Sequence, residues 1–200
     1  MSLSYWNHNY VQWIYQYLKG QIGNDYGVSG LLGNIYAESG ICPFRCEGDY
    51  SSPYTTSYDI TVNQLRSMSS YDFQHYHFPG TSASMVGYSL AQWTTYSRKD
   101  NYYNYCTQSL LGDGTKSAEF LVHELQTSYS GVWNVLTSAL TVRQASNKVL
   151  FDYESPADQS LPVQNLRAYY GQEVYNEFSG LPPAPATRLP IWMLFKFNDR

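Results

Sequence analysis

Residues 30–50, GLLGNIYAESGICPFRCEGDY, decide how this chain is read. An apolar helical run ends in Tyr36-Ala37-Glu38-Ser39-Gly40, and beyond it the sequence turns polar, aromatic and Cys-containing. The spacing of Val28, Leu31, Leu32, Ile35 and Tyr36 predicts a helix over 26–39 with these residues inward and Gly40 as its stop. Gly30 and Gly33 lower its helix propensity, which implies that something packs closely against that face. Glu38 then falls on the last turn, where the partial negative charge of a helix end disfavours an ionised acid. Together with partial burial, that position raises a carboxyl pKa.

Working outward, the rest of the chain reads as mostly α. A first helix covers 9–19, with Tyr10, Val11, Ile14, Tyr17 and Leu18 on one stripe and Gly20 as its stop. Residues 41–92 are rich in Tyr, Ser, Thr and Asp, with one short helix at about 62–69; so long an irregular stretch is often a functional lobe or lid. The segment MVGYSLAQWT, 85–94, reads as a short hairpin or turn leading into a helix at 97–108. Later helices start from caps: Thr115 before KSAEFLVHEL, Ser130 before GVWNVLTSAL, and Thr141 with Gln144 as a capping box. A final helix covers 163–178, with Leu166, Tyr170 and Val174 on one face and Gly180 as its close. The main domain is therefore expected over 1–180, followed by a stiff proline-rich linker and a short apolar tail over 181–200 that docks on the core, pairs with a sheet edge or begins a further segment.

Composition narrows the partners. The 200 residues are 43% hydrophobic, enough for one substantial core. A net charge of −4 argues against nucleic acid or an anionic membrane as the main partner. The N-terminus lacks a basic, apolar signal segment and no apolar run approaches about 18 residues, so no membrane span is expected and action outside the producing cell needs another delivery route. The chain carries 21 Tyr and 5 Trp. Their flat apolar faces and polar tips suit either a core or a ligand such as carbohydrate, with alternating CH and OH surfaces.

Three chemistries compete for these residues. A Cys-His hydrolase needs an activated thiolate, and neither Cys42, just after a helix, nor Cys46, in a loop, has the usual setting. Zinc could be held by Cys42, Cys46, His75 and His77, but C-x3-C and H-x-H are loose spacings, and no metal or other cofactor is expected. Cys42 and Cys46 are near enough in sequence to pair, leaving Cys106 as a small apolar residue. Glycoside chemistry answers the position of Glu38: protonating a glycosidic oxygen at neutral pH needs an acid that holds its proton. GYSLAQW adds Tyr88, Ser89, Gln92 and Trp93 within a few residues as groups able to grip a sugar.

The segments GLLGNIYAESG, GYSLAQWTTYSRK, FLVHEL, ASNKVLFDYESPAD and LRAYYGQEVY occur in an order that resembles the phage tail lysozyme family. That family is akin to goose-type lysozymes and soluble lytic transglycosylases. The resemblance covers about 20–180 and implies a lysozyme-like fold with a small hairpin or loop lobe lining a substrate cleft. It implies cleavage of the β-1,4 glycan strand of peptidoglycan, with Glu38 of the Glu38-Ser39 pair as catalytic acid. Gly87 to Trp93 would line the cleft, with Tyr153 near the acid. Glu47, Asp49, Asp59 and Asp72 are candidates for a second carboxylate, and Asp59 in YTTSYD best resembles an acidic position of related tail lysozymes. Other tail proteins become candidate partners, and delivery by a virion tail or by host lysis replaces a signal peptide. A lytic transglycosylase using the same Glu38, a peptidase acting on the stem peptide, and a non-catalytic wall-binding component remain as alternatives.

Overall fold

In a computed structural model, the described residues are 3–47, 62–76 and 86–184. Their elements are α1 (His8–Ile22), α2 (Asp25–Ser39), α3 (Val62–Ser67), α4 (Ser70–Gln74), α5 (Tyr96–Cys106), a 3-10 turn (Gln108–Leu110), α6 (Gly114–Thr127), α7 (Ser130–Ser138), α8 (Val142–Val149), a π-helical turn (Leu150–Glu154) and α9 (Leu161–Phe178). Extended pairing among the described residues amounts to two isolated antiparallel bridges, Cys46 with Tyr88 and Tyr88 with Trp93. The expected mostly α class holds. No described helix is long and apolar enough to cross a membrane.

The chain groups into two compact units, one of residues 1–37 with 122–200 and a second of residues 38–121. In the first, α1 buries Tyr10, Val11, Ile14, Tyr15, Leu18 and Ile22, and α2 buries Val28, Leu31, Leu32 and Ile35. The glycines of α2 make the closest contacts there. A Cβ on Gly30 would lie 2.5 Å from the Ala145 methyl of α8, and one on Gly33 would lie 2.4 Å from the Gly171 amide of α9. Non-bonded carbon atoms settle near 3.5–4.0 Å, so neither position admits a side chain. The tight approach lets the buried Asn34 amide donate to the Ser146 carbonyl at 3.1 Å.

Several expected boundaries move. Helix α1 runs through Gly20 to Ile22, because the left-handed residue is Gly23 at φ 74, whose N–H reaches the Lys19 carbonyl at 2.9 Å. The predicted 62–69 helix is α3, ending at Ser67, and a further short helix, α4, follows it, capped by Ser69 through the Asp72 amide. Helix α6 is capped by Asp113, which accepts from the Lys116 amide at 2.9 Å, rather than by Thr115. Ser130 is the first residue of α7 and not its cap, and Tyr129 precedes it without a side-chain capping bond. Thr141 does cap α8, but Gln144 returns its bond to Leu140 rather than to Thr141. In α9 the buried stripe is Arg167, Ala168, Gly171, Val174 and Phe178, while Leu166 is exposed. The opening of the linker is not extended away from the core: Ala184 N–H donates to the Gln16 carbonyl at 3.0 Å, and Gln16 Nε2 donates to the Pro182 carbonyl at 2.9 Å. The apolar tail lies outside the described residues.

The second unit is held by rings. Trp93 is fully buried, stacked on Tyr102 at 4.6 Å and edge-on to Phe120 at 4.8 Å. Phe73 of α4 meets Tyr88 edge-on at 5.6 Å. Inside this cluster the Tyr102 hydroxyl bonds Ser117 Oγ at 2.9 Å and accepts from the Gly112 amide at 3.1 Å, whereas the buried Tyr88 hydroxyl has no hydrogen-bond partner among the described residues.

Candidate functional site

The end of α2 is built to present Glu38. Gly40 and Ile41 both adopt left-handed backbone, φ 64 and φ 59. A β-branched residue there is a genuine outlier, and such strain persists only where surroundings over-determine it. The surroundings are visible: Ile41 is fully buried, and Ser39, also fully buried, donates from Oγ to the Leu90 carbonyl at 2.8 Å. The chain therefore reverses immediately after a half-buried Glu38.

Leu90 belongs to a tight loop made by the Tyr88–Trp93 pair, whose amides bond each other's carbonyls at 3.3 and 3.0 Å. This confirms the short hairpin expected in 85–94. Ser89 and Gln92 close it in left-handed conformations, φ 71 and φ 45. A third segment locks the loop from outside. The Arg45 carbonyl accepts from the Ser89 amide at 2.8 Å and from Gln92 Nε2 at 3.1 Å. Glu47 grips Gly87 twice, its N–H donating to the Gly87 carbonyl and its carboxylate accepting from the Gly87 amide, each at 2.8 Å. A Cβ on Gly87 would sit 2.9 Å from the Gln92 carbonyl oxygen, so glycine is required there.

The residues expected to grip a sugar are therefore mostly inside. Tyr88, Ser89 and Trp93 are buried, and Gln92, at 9% exposed, is the least enclosed. Their side chains build the loop: Gln92 Nε2 also donates to the Ser89 carbonyl at 2.8 Å, and Ser89 Oγ donates to Ser117 Oγ at 3.1 Å. Trp93, expected to help position a glycan, lies fully buried behind the loop. Tyr153 is in the other unit, where it is buried and its hydroxyl donates to Glu124 Oε2 at 2.6 Å. Tyr129 meets it edge-on at 4.9 Å.

Of the four candidates for a second carboxylate, two have structural partners. Glu47 holds Gly87, and Asp72 accepts from Ser69 Oγ at 2.7 Å in a capping box at α4. Asp49 and Asp59 lie outside the described residues. Cys42 and Cys46 are both buried and are not joined in a disulfide. Burial pushes the Cys106 thiol up to about 12, which keeps it an inert apolar filler. His75 of the conceivable metal set stacks between Tyr71 and Tyr96, and His77 is outside the described residues. Among the described residues no cluster of three or more His, Cys, Asp or Glu side chains could hold a metal.

Three buried charged residues escaped the sequence reading, Arg167 in the buried stripe of α9 and two more. Lys99 is 1% exposed, with Nζ 5.0 Å from the Phe73 ring centroid. Burial lowers its pKa from 10.5 to about 8, against the opposing fields of Cys46 and Glu47. Glu124 is buried beneath Tyr153. Helical spacing held the signals for Lys99 and Glu124: Lys99 shares its face with the buried Tyr102 and Cys106, and Glu124 shares its face with the buried Phe120 and Leu121.

A family model described as phage tail lysozyme matches residues 9–178 of the 200. No curated protein matches the chain.

Proposed function

Belonging to the phage tail lysozyme family, as that match over most of its length establishes, the chain lyses peptidoglycan, and we propose that it does so by cutting the β-1,4 glycan strand with Glu38 as general acid. The observation that carries this reading is the Gly40-Ile41 reversal, with Ser39 tied to Leu90, which holds a half-buried carboxyl at the very end of α2. Strained backbone over-determined by buried neighbours concentrates at functional sites. Glu38 donates its proton to the leaving glycosidic oxygen while positive charge develops on the sugar C1 and ring oxygen. The Tyr88–Trp93 loop, clamped by Arg45 and Glu47, supplies a rigid backbone edge beside that helix end, with Gln92 as its least buried side chain. Asp59 is the proposed base that activates water in an inverting hydrolysis, and Tyr153 is a supporting residue of the site. Other tail proteins are proposed partners, and delivery is on a virion tail or at host lysis.

A second reading is favoured by one observation: Glu47 and Asp72 are already engaged in holding Gly87 and capping α4. A transglycosylase needs no second carboxylate. The sugar's own C6 hydroxyl attacks C1, its proton passes to Glu38, and the product carries a 1,6-anhydro ring.

Purified peptidoglycan digested by the protein and its Glu38→Gln variant, with products read by mass spectrometry, tests both. Wild type should release new reducing sugar ends, and the variant should lose about 10²–10⁴-fold in rate while melting as wild type does. New amines in place of new sugar ends would overturn the glycosidase reading. Dominant 1,6-anhydro ends would select the transglycosylase, and in the hydrolase case Asp59→Asn should abolish turnover but not wall binding.

A further inference from the structure

The second unit carries one aromatic feature that faces outward. Among its described residues the exposed large apolar side chains are Tyr71, 68% exposed, and Tyr96, 37% exposed. Both stack on His75, Tyr71 at 4.0 Å and 22° between planes, Tyr96 at 4.5 Å and 27°. The ring of Tyr71 is therefore backed on one face by His75 and open on the other.

Its support is rigid. His75 Nδ1 lies 2.8 Å from the Tyr71 carbonyl oxygen. Phe73, between them in sequence, is buried and anchors α4. Asp100 of α5 accepts from Ser70 Oγ at 2.9 Å and from Gln74 Nε2 at 2.7 Å, fixing both ends of α4. A ring held in this way loses little freedom when a ligand arrives, so the contact energy is not spent on ordering it.

The open face suits a small amphipathic ring. A phenol presents a flat apolar surface edged by a hydroxyl, which matches the CH face and equatorial hydroxyls of a pyranose. A protein partner of ordinary stability needs roughly 1,000 Å² of interface, and one phenol face with half-covered Tyr96 behind it supplies far less apolar surface than that. The charge balance of the stack, neutral tyrosines around an imidazole, offers nothing specific to an acidic or basic peptide.

We propose that the outer face of Tyr71, backed by His75 and Tyr96, is a sugar-stacking subsite that takes one N-acetylhexosamine ring of a β-1,4-linked glycan. The proposal rests on the glycan-directed reading above and adds a contact that acts in binding, not in bond cleavage.

The experiment measures calorimetric binding of a soluble β-1,4-linked N-acetylglucosamine hexamer to the full chain, with Glu38→Gln in every sample to prevent turnover. Tyr71→Ala should weaken binding about fivefold to tenfold, while Tyr71→Phe and Tyr71→Trp retain it, with all melting temperatures alike. Equal affinity for Tyr71→Ala, or equal losses for Tyr71→Ala and Tyr71→Phe, would overturn the stacking face. Unchanged hexamer binding with a loss of self-association in sedimentation would overturn it too, and reassign the ring to a second copy of the chain. The product analysis of wild type keeps the two readings apart. New sugar ends with a silent Tyr71 sink the subsite alone, whereas weakened binding without new sugar ends upholds the subsite and sinks the glycosidase.

Discussion

The two compact units are held together by opposite means. In the first, helices close to backbone contact across glycines: Gly30 on Ala145, Gly33 on Gly171, Gly27 on Leu136. In the second, large rings and side-chain-to-backbone bonds tie the described segments together, Trp93 on Tyr102 and Phe120, Ser39 on Leu90, Glu47 on Gly87. The difference teaches where each unit tolerates change. Backbone contact forbids adding atoms, and ring packing forbids removing them.

The largest expected effect is therefore a deletion in the second unit. Trp93→Ala should cost about 3–5 kcal/mol of stability, the usual range for emptying a large aromatic site, and chemical denaturation measures it. A loss below about 1 kcal/mol would mean that the loop does not depend on its rings.

The matching insertion belongs to the first unit. Gly33→Ala places a methyl 2.4 Å from the Gly171 amide nitrogen, so a helix must shift, and the cost should be about 3 kcal/mol, the upper end for overpacking. Gly131 is the control, because a Cβ there meets nothing within 4 Å. Gly131→Ala should instead be neutral or stabilise by up to about 1 kcal/mol. Equal effects at the two glycines would break the distinction between close approach and mere presence of glycine.

A buried charge sharpens the comparison from another side. Lys99 has a pKa lowered by burial from 10.5 to about 8. Below pH 8 it is protonated in both folded and unfolded chains, and the folded state bears the full desolvation cost of about 3 kcal/mol. Between pH 8 and 10.5 the unfolded chain binds more protons, so this residue's contribution raises stability as pH climbs. The ring contact with Phe73 returns about 1 kcal/mol, so Lys99→Met should stabilise by about 2 kcal/mol at pH 7. That gain should shrink toward pH 10. Cys106 and the buried tyrosines have raised pKa values and act in the opposite direction at high pH. The readout is accordingly the difference between variant and wild type in denaturation at pH 7 and pH 10. A gain independent of pH would show that packing, not charge, separates them.

The smallest effect tests the edge of the first unit. Ending the chain after Ala184 keeps the bonds of Ala184 and Pro182 to Gln16, and thermal melting should be unchanged. Ending it after Gly180 removes both bonds and should cost about 1 kcal/mol. A large drop for the longer truncated form would show that the apolar tail is part of the core.

Much of this was legible in the sequence. Helical periodicity located the main helices, Gly30 and Gly33 announced the close packing of α2, and Glu38 stood out because an acid on a helix's last turn works against the helix dipole. These are local properties, set by residues within a turn or two of one another. The residues expected to grip a sugar have packing roles that local pattern does not show. Tyr88, Ser89 and Trp93 have the right chemistry for a ligand, yet they are buried, because a hairpin loop this short can supply a core only by turning its own large side chains inward.

Sequence by itself determined the helical class and the family and singled out Glu38 as the candidate acid, since each rests on short-range pattern or on a series of motifs in order. Only the tertiary structure decided that Glu47 holds Gly87, that Cys42 and Cys46 are not joined in a disulfide, and that Lys99 is inside. Those outcomes depend on partners distant in the chain, Gly87 for Glu47 and Phe73 for Lys99. No local pattern encodes a partner that the fold alone brings near, so burial, pairing and charge state are settled where segments meet.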